Sequence, residues 1–125
     1  DADPVVNQWL ARTETADGFV FETPVSYGHP GGCIQSVLDR MFYARTDLFE
    51  HKPEAAVASA RRGGTTAALE ALNKYLTIAQ MAVPGSTYWN MVHGTTPEEV
   101  RQDLGDADHV ELPQAERTYT TNFIR

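Results

Sequence analysis

The strongest constraint on this chain is a pattern that occurs three times between Phe19 and Leu104: a short apolar run, a loop with Gly, Pro or both, then a helical stretch. In the first round, Phe19-Val20-Phe21 follows Asp17-Gly18 and ends at Thr23-Pro24, a continuous apolar run suited to a strand buried on both sides. Residues 24–32 read as an irregular loop, and Ile34, Val37, Leu38, Met41 and Phe42 then recur on one helix face. In the second round, residues 54–60 predict a strand, 61–66 a loop and 67–81 a helix with Leu69, Leu72, Leu76 and Ala79 inward. In the third, residues 81–83 and 86–88 predict a strand interrupted by Pro84-Gly85, residues 89–94 a loop, and Thr96-Pro97-Glu98-Glu99 a helix start with a capping box. Asp3-Pro4 opens an earlier helix whose Val5, Val6, Trp9 and Leu10 share a face. Strands alternating with helices imply βαβ units, right-handed crossovers and a parallel sheet.

The 125 residues are enough for one hydrophobic core and too few for two independent ones. A formal charge of -7 disfavours binding to a phosphate backbone or an anionic lipid surface, so nucleic acid and membrane are not expected partners. The single cysteine, Cys33, rules out an intrachain disulfide and suits a reducing, cytoplasmic compartment. No apolar run approaches the roughly twenty residues that span a bilayer, and the acidic start has none of the marks of a secretory signal.

In open parallel sheets ligands bind at the carboxyl ends of the strands, which directs attention to the three loops. The first offers Tyr27 as a flat surface, Gly28 as a point of close backbone approach and His29 as a titratable donor. The second places Arg61 and Arg62 with Gly63 and Gly64 beside a helix start, suited to an anion or a carbonyl oxygen. The third contributes Trp89, Asn90 and His93. Each has a plainer reading: Tyr27 as a surface-packed ring, the arginines as a solvated basic pair, His29 as a loop residue. The four histidines, His29, His51, His93 and His109, lack the close spacing of shared metal ligation, and no metal is expected. Cys33 has no base beside it in the sequence and reads as a small core residue.

The run ADGFVFETPVSYGHPGGCIQSVLDRMFYA, then KPEAAVASARRGGTTAALEALNKYL, then STYWNMVHG, resembles the NAD(P)H-dependent FMN reductases of the flavodoxin-like superfamily, including the iron–sulfur flavoprotein branch. The resemblance spans about residues 3 to 104 in one register, with three loops matching in order. It implies an α/β, flavodoxin-like parallel sheet with helices on both faces, of which the last three βα units are recognisable. It implies FMN contacts from Thr23, Pro24, Val25, Ser26, Tyr27 and Gly28 along the ring, and from Ala60, Arg61, Arg62, Gly63 and Gly64 at its pyrimidine side. Trp89, Asn90 and His93 would then lie near a flavin at a subunit boundary in a homodimer or homotetramer. The implied activity is hydride transfer from NAD(P)H through FMN to a quinone, free flavin or other electron-poor acceptor. The flavin itself carries that chemistry, so no protein acid or base is required and His29 is the one weak catalytic candidate. An electron carrier without nicotinamide activity, and a flavin-free oligomerising module, are the alternatives the residues leave open.

Family members also begin with a strand, a phosphate loop, a helix and a second strand, and nothing like these precedes Asp1. The expectation is therefore the later part of a longer chain: an N-terminally incomplete domain over 1–105, followed by an extended arm over 106–125. A cluster in an earlier segment would leave no mark here.

Overall fold

The computed structural model describes residues 3–85 and 89–103. Strands β1 (Phe19–Ser26), β3 (Glu54–Ala60) and β4 (Met91–His93) lie side by side and parallel, and a two-residue β2 (His29–Pro30) pairs antiparallel with the end of β1, giving the order β2-β1-β3-β4. Helices α1 (Pro4–Thr15), α2 (Gly32–Arg45), α3 (Thr65–Ile78) and α4 (Pro97–Asp103) alternate with them, and a single 3-10 turn spans Thr46–Leu48. The expected flavodoxin-like α/β architecture is present, with a mixed sheet in place of a purely parallel one. The arm expected over 106–125 lies outside the described residues.

Local chemistry accounts for most element boundaries. The Val5 backbone N–H donates to Asp3 Oδ1 at 2.8 Å with Pro4 in the first turn, and that cap starts α1. At α4 the expected capping box closes in both directions: the Glu99 N–H donates to Thr96 Oγ1 at 3.2 Å, and Glu99 Oε2 accepts from the Thr95 and Thr96 N–H groups at 2.6 and 3.3 Å. Hydrogen bonding to Thr95 is the main reason the Glu99 carboxyl is held below its ordinary pKa.

One cluster forms the core, joining Val6 and Leu10 of α1, Leu38, Met41 and Phe42 of α2, and Ala68, Leu69, Leu72 and Leu76 of α3 to Ala56 and Ala58 of β3. Phe49, in the irregular link after α2, is fully buried and stacks on Phe42 with ring centres 4.0 Å apart. Periodicity could not announce it, because it belongs to no helix face or strand.

Three expectations are corrected. The run Phe19-Val20-Phe21 is not covered on both sides: Phe19 and Phe21 turn to the core, whereas Val20 is 66% exposed, since strand side chains alternate between faces. β1 also continues to Ser26, through residues whose Gly and Pro neighbours suggested a loop. Pro24 is tolerated there because only one edge of β1 is paired along residues 19–24, and a proline on an edge strand need not donate to a ladder. Finally, the last strand lies at Met91–His93, inside the expected loop. Ala82 makes an isolated parallel bridge with Pro53, Pro84 has no N–H to continue the ladder, and the next described pairing with β3 is near Asn90; residues 86–88, expected in the interrupted strand, lie outside the described residues.

Candidate functional site

The carboxyl ends of β1, β3 and β4 lie at one end of the sheet, where the first two sequence loops meet His93 and Gly94 from the third; Trp89 and Asn90 precede β4 and lie at its other end. Ser26 and His29 face each other across a two-residue hairpin connection whose members, Tyr27 (φ 50°) and Gly28 (φ 77°), both have positive φ. That pairing is the type I′ geometry that matches strand twist, and it is costly for a bulky residue such as Tyr27. The turn carries the Tyr27 ring out to full exposure. Behind it, buried Thr23 accepts a hydrogen bond at 2.8 Å from the Gly31 N–H, which ties the return strand to the end of β1.

The second loop touches this hairpin directly. Gly64 caps α3 with φ 91°, and a Cβ placed on it would lie 2.9 Å from Val25 Cγ1 and 3.1 Å from Gly28 Cα. Only a glycine permits both the backbone conformation and that approach. The third loop is joined by the sheet: Ala60 pairs in register with His93, and the Gly94 N–H donates to the Ala60 carbonyl at 2.9 Å. Asn90 is used in the sheet as well, its carbonyl accepting from the Ala58 N–H at 3.0 Å and its side chain reaching the Ala56 carbonyl at 3.4 Å. Trp89, just before it, is half exposed.

Between the second and third loops lies a cleft of about 470 Å³ lined by Arg61, Arg62, His93, Glu99, Gln102 and Asp103, together with Gly94 and Thr95. His93 is held at three points. Its Nε2 is hydrogen-bonded to Thr65 Oγ1 at 3.1 Å, its Nδ1 lies 3.5 Å from Asp103 Oδ1, and its backbone N–H donates to Asp103 Oδ2 at 2.9 Å. Thr65 is buried at the first turn of α3, so one imidazole joins the β3–α3 corner to the end of α4.

Sequence reasoning singled out Arg61, Arg62 and His93 of this cleft but missed Glu99, Gln102 and Asp103, and Thr65, which holds the His93 ring from α3. Glu99 was legible only as a capping residue; nothing in the spacing placed Asp103, ten residues beyond His93, against its ring. His29 lies on β2 and is not among the residues lining the cleft. Cys33 is exposed, contrary to the core reading, because it occupies the first turn of α2 outside that helix's buried face. A larger groove of about 590 Å³ runs along Trp9, Phe19, Phe21, Ile34 and Met41, but its lining is mainly apolar and it lies away from the converging loops.

Comparison with known proteins gives a consistent result. A family model described as NADPH-dependent FMN reductase matches residues 1–96. Among solved structures, the chain is similar to the flavodoxin, WrbA-like protein from Agrobacterium tumefaciens, at 17% identity and a TM-score of 0.62 over 70% of this chain and 58% of that one. It is also similar to the Trp repressor binding protein from Bacillus subtilis, at 13% identity and a TM-score of 0.67 over 78% of this chain and 68% of that one. A search of curated proteins found no match. At these identities the structural likeness establishes the fold, and the chain spans little more than half of the Agrobacterium protein.

Proposed function

The chain belongs to the NADPH-dependent FMN reductase family, and from that premise we propose that it forms the ring-binding part of an FMN-dependent oxidoreductase that draws hydride from NAD(P)H and passes it to a small electron-poor acceptor such as a quinone or free flavin. The observation that carries this reading is the meeting of the three loops, with Gly64 against Val25 and Gly28, and Gly94 tied to Ala60. A flat ring with polar edges suits what is gathered there. Tyr27 and the backbone of Thr23, Pro24, Val25, Ser26 and Gly28 offer a face, and Ala60, Arg61, Arg62, Gly63 and Gly64 offer donors for carbonyl oxygens. Neither arginine makes a salt bridge among the described residues, although Arg61 is near enough to help hold the Glu99 carboxyl below its ordinary pKa.

FMN, when bound, supplies the hydride-accepting and hydride-donating chemistry. The chain's own part is orientation, together with stabilisation of the negative charge that reduction leaves on the pyrimidine end, through Arg61 and Arg62. Trp89, exposed beside the third loop, fits a contact with a second copy in a homodimer or homotetramer that brings Trp89, Asn90 and His93 to a shared flavin edge. Among the described residues no helix is long and apolar enough to cross a membrane. The lone Cys33 favours a cytoplasmic setting.

The test is titration of the purified protein with FMN, followed by flavin fluorescence, with NADPH oxidation measured in the presence of a benzoquinone. Saturable quenching, weakened at least several-fold in Arg62→Ala, together with NADPH turnover that depends on added FMN is expected. Absence of saturable FMN binding would sink the proposal.

A further inference from the structure

We propose that a second copy of this chain docks on the outer face of α2 and α3, about a two-fold axis that runs along the groove between them. The proposal goes beyond the flavin reading and makes no use of it. Both helices pack on the same face of the sheet, through Leu38 and Leu72, and both follow strands that are parallel, so they run side by side in one direction. Their outward sides enclose a groove of about 500 Å³ whose lining includes Phe42 and Tyr75, with ring centres 5.5 Å apart. Two more of its residues are large, apolar and open to water: Tyr43 is 95% exposed and Ile78 is 78% exposed. A single exposed apolar side chain is ordinary, but two beside one apolar groove mark a contact surface.

The charged residues of the groove indicate what covers it. Asp39 comes from α2 and Lys74 from α3, and the Tyr75 hydroxyl donates to the Asp39 carboxylate, which ties the two helices together at one height. Lys74 makes no salt bridge among the described residues. Each charge is followed one turn later on its own helix by an exposed apolar side chain, Asp39 by Tyr43 and Lys74 by Ile78. A two-fold axis along the groove lays α2 of one copy on α3 of the other, so Asp39 meets the partner's Lys74, Tyr43 meets the partner's Ile78, and both contacts occur twice. An axis across the helices would set α2 on its own copy and make neither contact. The size is sufficient. Helices of 14 residues are about 21 Å long, and packed neighbours lie about 10 Å apart, which gives a face of about 20 Å by 20 Å. That is roughly 400 Å² in projection, before side-chain relief is counted, against the roughly 500 Å² that a small specific interface takes from each partner.

The experiment is sedimentation velocity on the purified protein over a range of concentrations. The wild type should self-associate, and the double variant Tyr43→Ser with Ile78→Ser should associate roughly tenfold or more weakly, with an unchanged circular dichroism spectrum because both side chains are exposed. Charge exchange gives a second readout. Asp39→Lys alone and Lys74→Asp alone each set like charges against each other across the axis, and each should associate less than the wild type. An equimolar mixture of these two variants should associate more than either alone, because every opposed pair in the mixed dimer is again of opposite sign. Should either charge variant not fold, the serine variant decides. A wild type that stays monomeric, an assembly that Tyr43→Ser with Ile78→Ser leaves unchanged, or a mixture of folded charge variants no tighter than its components overturns the assignment.

Discussion

Glu54 opens β3 with its side chain 2% exposed and neither carboxyl oxygen hydrogen-bonded to any described residue. It lies in register with Phe19, whose ring packs on Phe49, and loss of water there pushes its pKa from 4.5 up to about 8. Lys52, two residues earlier, does not rescue it, because the ammonium group is bonded to the Thr13 carbonyl at 2.8 Å. A carboxyl with a raised pKa binds its proton more tightly in the folded chain than in the unfolded one. Its contribution is therefore complete below pH 4.5 and is lost as pH rises toward 8. At 1.36 kcal/mol for each tenfold change in proton affinity, the full window is worth about 5 kcal/mol, of which about 3 is gone by pH 7. Against a domain stability of roughly 5–15 kcal/mol, a loss of that size removes a large share of what holds the chain folded. Thermal unfolding followed by circular dichroism at pH 5, 7 and 8 should show the wild type losing roughly 10–15 °C across the series. Glu54→Gln, which keeps the shape and cannot ionise, should be nearly flat and should exceed the wild type at pH 8. Other side chains with displaced pKa values titrate outside this window: Asp3, Asp47 and Glu99 are lowered, and Tyr75 is raised to about 12. A wild-type melting temperature that does not fall between pH 5 and 8, or an equal slope in Glu54→Gln, would refute the reasoning.

Tyr27→Asn places at the hairpin tip a residue that tolerates positive φ, so the melting temperature should rise, by about 0.5–1 kcal/mol in stability, while FMN affinity should fall if the ring stacks on the flavin; a fall in stability would contradict the turn assignment, and unchanged FMN affinity would contradict stacking. Gly64→Ala combines positive φ with a Cβ 2.9 Å from Val25 and should cost about 1–3 kcal/mol in urea unfolding, and a neutral result would show that the first and second loops are not in contact.

What the sequence made legible follows from how local its causes are. The α1 cap, the α4 capping box and the β3 strand over 54–60 are each specified within a few neighbouring residues, and each forms where expected. β1 beyond Thr23 and β4 were misread because their pairing is set by distant partners. Pro24 is acceptable only because its edge is open, and Met91–His93 become a strand only because β3 pairs with them, the Ala58 N–H donating to the Asn90 carbonyl and the Ala60 carbonyl accepting from the Gly94 N–H. The same distinction runs through the site. Arg61, Arg62 and the glycines stand next to one another in the chain and could be read as a loop. The contact of Thr65 with His93 spans 28 residues, and the approach of Asp103 to His93 depends on how α4 folds back on β4.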